Sequence, residues 1–140
     1  MDNSRGRMRT NYFKVTDVDK FTTILSKCKL EDDEQIQLFN KDIDGEKLYA
    51  FGCSSNVEGY CYEEIDEPNF DDFISDLQTI IAPGHSIIMM EIKYRLLCYI
   101  YSAAFVITAD SVDTLDLTQL ATEKAAEVLG NSEYNPKLIC

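Results

Sequence analysis

Pro68-Asn69-Phe70-Asp71-Asp72-Phe73-Ile74-Ser75-Asp76-Leu77-Gln78-Thr79-Ile80-Ile81-Ala82-Pro83-Gly84 is where the hydrophobic period of this chain is clearest. Phe70, Phe73, Ile74, Leu77, Ile80 and Ile81 recur at helical spacing, with Asp71, Asp72 and Asp76 on the opposite side. Asn69 has the short polar side chain of an N-cap, and Asp72 stands where a capping-box carboxylate belongs. Ala82-Pro83-Gly84 ends the helix.

Beyond that stop the period shortens to that of strands. Ile87, Ile88, Met89, Met90 and Ile92 run to Lys93, and Tyr94-Arg95 can turn the chain. Leu96 to Thr108 follows, long and rich in Ile, Val, Phe and Tyr, with a bend expected near Ser102-Ala103-Ala104. Val112 to Leu117 reads as an edge strand, on which Asp113 and Asp116 discourage edge-to-edge pairing. Thr118 caps a last helix whose Leu120, Ala121, Ala125, Val128 and Leu129 form a buried stripe, stopped by Gly130-Asn131.

Upstream, Tyr12 to Val15 suits a short strand. Thr16 then caps an amphipathic helix over Asp17 to Lys29, with Val18, Phe21, Ile24, Leu25 and Cys28 on one face. Glu31 to Glu34 is a charged loop, Ile36 and Leu38 begin a half-buried strand, and Asp44-Gly45 turns it into Leu48 to Cys53. Met1 to Thr10 reads as a flexible terminus, with Met8 a candidate alternative start. The order predicts an α+β fold of two layers: a mostly antiparallel sheet of five to six strands, with three helices packed on one face. Residues 11–130 make a single domain between a flexible tail, 1–10, and a loose tail, 131–140.

The 140 residues carry a net charge of −12, which repels phosphate backbones and anionic lipid surfaces. A macromolecular partner is therefore a protein, with no direct contact to nucleic acid or membrane. Five cysteines without a Cys-x-x-Cys pair, and no apolar leader in Met1 to Thr10, point to a reducing, cytoplasmic home. Asn40, Asp42, Asp44 and Gly45 imitate the start of a calcium loop, but Phe51 stands where its bidentate Glu belongs. Cys53, Cys61 and the single histidine, His85, lack zinc-site spacing, so neither metal nor cofactor is expected. His85 has no nucleophile motif beside it, and no catalytic residue is assigned.

What remains is Glu58 to Asp76, in which eight carboxylates fall with no Lys or Arg. One account is a loop kept acidic for solubility. The other is a surface for a basic partner, with Glu58, Glu63, Glu64, Asp66, Glu67, Asp71, Asp72 and Asp76 as its charges. Tyr60 and Tyr62 would be the anchors of that surface, because aromatic groups among charges are what interfaces depend on.

Arg9 to Asp17 (RTNYFKVTD), Leu48 to Cys53 (LYAFGC), Leu115-Asp116-Leu117 and Ala125 to Gly130 (AAEVLG) together resemble small acidic accessory proteins. The proteins in question are carried by conjugative elements and phages of Gram-positive bacteria. Such elements carry inhibitors of host defence, among them acidic anti-CRISPR and antirestriction proteins that imitate nucleic acid. The resemblance implies an anti-defence role in the cytoplasm of a bacterial host and assigns no functional residue. The resulting expectation is a non-enzymatic inhibitor, anti-CRISPR first, that occupies a CRISPR or restriction nuclease's basic groove. The alternative is a structural or assembly protein of the mobile element, a homodimer joined through Leu96 to Thr108.

Overall fold

The computed structural model describes residues 4–31 and 34–136. Its elements are β1 (Ser4–Thr10), α1 (Val18–Lys27), β2 (Cys28–Leu30), β3 (Gln37–Ile43), β4 (Glu46–Cys53), β5 (Val57–Tyr62), β6 (Ile65–Asn69), α2 (Phe70–Gln78), β7 (Ile87–Arg95), β8 (Tyr99–Ile107), β9 (Val112–Asp116) and α3 (Leu117–Leu129). The class is α+β, as the sequence predicts. The expected single sheet is instead two antiparallel ones, of order β3-β4-β1-β7-β8-β9 and β2-β5-β6. Met1 to Asn3, Asp32, Asp33 and the end of the expected loose tail, residues 137–140, lie outside the described residues.

The largest correction is at the N-terminus. Ser4–Thr10, expected to be part of a flexible tail, is a central strand that pairs along its whole length with β7 and meets β4 at Met8 and Arg9. Gly6, Met8 and Thr10 are buried, while Arg7 and Arg9 are exposed on the opposite face. Strand alternation explains the polar look, because a strand covered on one face only can carry arginine on the other. Gly6 is needed for close approach: a Cβ there would collide with the side-chain amide of Asn56.

Smaller differences have local causes. Tyr12 to Val15 forms two isolated bridges, Phe13 to Tyr49 and Val15 to Ile81, in place of a strand. Asp17 rather than Thr16 caps α1, accepting from Lys20 N at 3.1 Å, and the chain turns straight into β2 after Lys27. Asp44-Gly45 is the expected hairpin turn, at φ of 52° and 82°, and α2 starts at the predicted Asn69 cap but ends early, at Gln78. β7 runs through Tyr94-Arg95, so the turn falls at residues 96–98, and β8 keeps register with it without a bulge.

The core lies between one face of the six-stranded sheet and the layer holding α1, α2 and the smaller sheet. Phe13, Phe21, Phe51 and Phe73 are fully buried and meet edge-on or tilted, with Phe13 5.6 Å from Phe21 and Phe51 6.5 Å from Phe73. α3 departs from expectation. Asp116 caps it in place of Thr118, and the stripe expected to be buried leaves Leu120, Val128 and Leu129 exposed. Thr118, Thr122, Ala125 and Ala126 are the half-buried positions, so small residues do what packing α3 has.

A chain started at Met8 would lose the pairing of Ser4 to Arg7 with β7 and the seat of Gly6 beneath Asn56. It should be less stable by at least about 2 kcal/mol, read as a lower midpoint in urea unfolding. An unchanged midpoint would mean that this half of β1 adds nothing.

Candidate functional site

The acidic stretch expected as a loop is built from regular structure. β5 and β6 form a hairpin closed by Glu63-Glu64, with Tyr62 opposite Ile65, and the chain passes directly from Asn69 into α2. Gly59 permits the junction, because its φ is 116° and a Cβ there would fall 2.6 Å from Phe70 N. Asn69 Oδ1 accepts from Asp72 N at 2.9 Å, which makes the cap. The carboxylate of Asp72 does not complete a capping box, since Oδ2 accepts from the Tyr62 hydroxyl at 2.6 Å.

That bond is half of a two-rung ladder. The Tyr60 hydroxyl donates to Asp76 Oδ2 at 2.8 Å. Alternate residues of a strand stand about 6.7 Å apart on one face, and residues four apart on a helix about 6 Å. Tyr60 and Tyr62 on β5 therefore match Asp76 and Asp72 on α2 rung for rung. Burial, followed by the Asp76 hydrogen bond and charge, pushes the Tyr60 hydroxyl well above the usual tyrosine range. The Asp72 hydrogen bond raises Tyr62 in the same direction.

All ten predicted site residues lie on β5, its turn, β6 and α2, but they divide by role. Tyr60 is 4% exposed, with Phe73 5.9 Å from its ring and Lys27 Nζ 4.7 Å above it. It belongs to the core, which corrects its reading as an interface anchor. Glu58 pairs with Lys29 at 3.8 Å, and Asp76 and Asp72 are held by tyrosines. Glu63, Glu64, Asp66, Glu67 and Asp71 are exposed and make no salt bridge among the described residues. Glu67 and Asp71 border one shallow depression of about 290 Å³ with Ile65, Pro68, Asn69 and Phe70. Phe70 fixes this end to the larger sheet, its ring 5.1 Å from Phe105.

Two other candidates resolve into structural parts. His85 Nδ1 accepts from Lys14 N at 3.2 Å, joining the turn after α2 to the segment after β1. No group of three or more His, Cys, Asp or Glu side chains is placed to hold a metal among the described residues. Cys28 is a buried thiol pushed up to about 12 by desolvation, which suppresses its thiolate. Cys98 is disulfide-bonded, a bond that the expected reducing compartment does not predict.

A second charged feature lies on the open face of the larger sheet. Arg7 and Arg9 stand on the face of β1 away from the core, and Arg9 lies across Gly52 with its guanidinium 4.1 Å from the Phe39 ring. Its signal was the alternation of Arg with Gly6, Met8 and Thr10. Comparison with known proteins finds no matching family model, no matching curated protein and no matching solved structure. No described helix is long and apolar enough to cross a membrane.

Tyr60→Phe keeps the ring and leaves Asp76 without its donor, which should cost about 1–3 kcal/mol. An unfolded tyrosine ionises near pH 10.0, and folded Tyr60 ionises higher. The stability this adds is complete below pH 10.0 and is lost as pH rises above it, because only the unfolded chain then releases the proton. Unfolding curves at rising alkaline pH should therefore fall less steeply for Tyr60→Phe than for the parent chain. Equal slopes would contradict the ladder.

Proposed function

We propose that the chain is a non-catalytic binding protein that docks its acidic hairpin and helix α2 on the basic, nucleic-acid-binding surface of another protein. The observation that carries this is the set Glu63, Glu64, Asp66, Glu67 and Asp71, exposed and without salt bridges among the described residues, on a hairpin locked to a helix. Solubility alone needs charge, but it does not need that charge concentrated on a rigid support. Duplex DNA presents one phosphate charge per about 1.7 Å of axis, so a groove built for it meets closely spaced anions. A turn and a helix start that crowd carboxylates offer a stand-in for that row.

Within this reading, the resemblance to accessory proteins of conjugative elements and phages supports an anti-defence inhibitor, anti-CRISPR or antirestriction in kind, with a CRISPR or restriction nuclease as the target. Cytoplasmic action in a bacterial host belongs to the same proposal. Tyr62 and Ile65, both exposed beside the acids, supply the apolar contact. Tyr60, Asp72 and Asp76 act indirectly, by holding the hairpin to α2.

The test is a binding assay between a candidate nuclease and the variant Glu63→Gln, Glu64→Gln, Asp66→Asn, Glu67→Gln, with the parent chain alongside. The replaced groups are exposed, so the fold should be unaffected. Association should slow at least about tenfold and lose much of its salt dependence. Unchanged affinity and salt response would dismiss the proposal.

A further inference from the structure

We propose that the open face of the six-stranded sheet is where two copies of this chain pack together as a closed dimer. α1 and α2 cover the opposite face, with Ile87 and Met89 of β7 beneath them in the core. The alternate residues Ile88, Met90, Ile92 and Tyr94 are exposed, and register places Val106, Ala104, Ser102 and Ile100 of β8 beside them. The apolar strip continues into the β7–β8 turn, where Leu96, Leu97 and Ile100 are 75%, 99% and 78% exposed.

Leu97 is the most exposed residue of this strip. Its φ is 58°, and Cys98 N donates to Arg95 O at 3.0 Å across the turn. A branched residue in that conformation costs about 1–2 kcal/mol, and Gly or Asn would hold the turn with less strain. The Leu97 side chain buries nothing within the single chain. Met90, Ile92, Tyr94, Leu96, Leu97 and Ile100 together present on the order of 700 Å², close to the roughly 800 Å² per partner of a stable interface.

Charge selects a second copy as the occupant. A chain of net charge −12 repels itself elsewhere, and above all at the acidic hairpin. On the open face the charges are segregated. Arg7 and Arg9 flank the apolar strip on β1, and Asp113 lies across it on β9, in the row of Ile88 and Val106. A two-fold axis parallel to the strands, between β7 and β8, lays apolar strip on apolar strip. Position along the strands is kept by that axis, so β1 of one copy lies over β9 of the other, with Arg9 in the row of the partner's Leu115 and one row from the partner's Asp113, and both Leu97 turns gather at one end. The acidic units lie on the far side of each subunit, so the dimer presents two of them and engages its target bivalently. The dimer does not rest on that docking role.

Sedimentation of the full chain across a wide concentration range should show a plateau at twice its 16.0 kDa, retained at high salt. Leu97→Asp and Ile100→Asp change exposed residues, so circular dichroism of the folded chain should not move. Each should weaken self-association at least about tenfold. Asp113→Arg should weaken it too, and adding Arg9→Asp should restore part of the loss. The amide variant of the acidic hairpin should dimerise normally, which separates this test from that of target binding. A parent chain monomeric at every concentration, a mass that climbs past two subunits without a plateau, or indifference to both leucine and isoleucine changes would overturn the dimer.

Discussion

β1 is the strand on which the fold depends. It lies between β4 and β7, and without it the hairpin β3–β4 and the meander β7–β8–β9 would be two separate ladders. Met8 sits opposite Cys53 on one side and Glu91 on the other, so a single residue joins segments more than forty positions away in sequence. Asn56 adds a second tie at the same level, its amide packed over Gly6 and donating to Glu91 Oε2 at 3.3 Å. The strand is paired with β7 along its whole length and with β4 at Met8 and Arg9, and that pairing does not depend on its outward side chains. That freedom admits arginine into the middle of a sheet.

One-sided cover of the sheet then sets the distribution of everything else. The aromatic core takes the inner face, and with it α1, α2 and the small sheet, so the carboxylates of β6 and α2 are displayed beyond that layer. The outer face is left with Arg7, Arg9 and a band of exposed aliphatic residues. Polarity of this kind follows from strand alternation alone once a single face is chosen for burial. The acidic and apolar surfaces are thus separated by the thickness of the molecule and can act independently.

The acidic unit gains its rigidity from the Tyr60–Asp76 and Tyr62–Asp72 hydrogen bonds. They hold a hairpin to a helix at matched spacing, and they remove two of the carboxylates from direct contact duty. Sequence composition identified the charge and put all ten residues in one place, but it could not separate props from display. Tyr60 reads in one dimension as an aromatic among acids. In space its ring is enclosed by Phe73 and Lys27, and its role is structural.

Local rules determined the parts that local chemistry controls. The Asn69 cap, the Asp44-Gly45 turn, the Gly130 stop at φ of 65°, α2 and the β9 edge each depend on a few neighbouring residues, and each was legible. The failures share one cause. Whether Ser4–Thr10 is tail or strand, whether Glu58–Asn69 is loop or hairpin, and which stripe of α3 is buried all depend on partners distant in sequence. β1 needs β7 to satisfy its backbone, β5 needs β2 and α2, and α3 has too little sheet beneath it to cover its leucines. Hydrophobic period states which side chains can be buried; only the assembled sheets decide which ones find a surface to cover them.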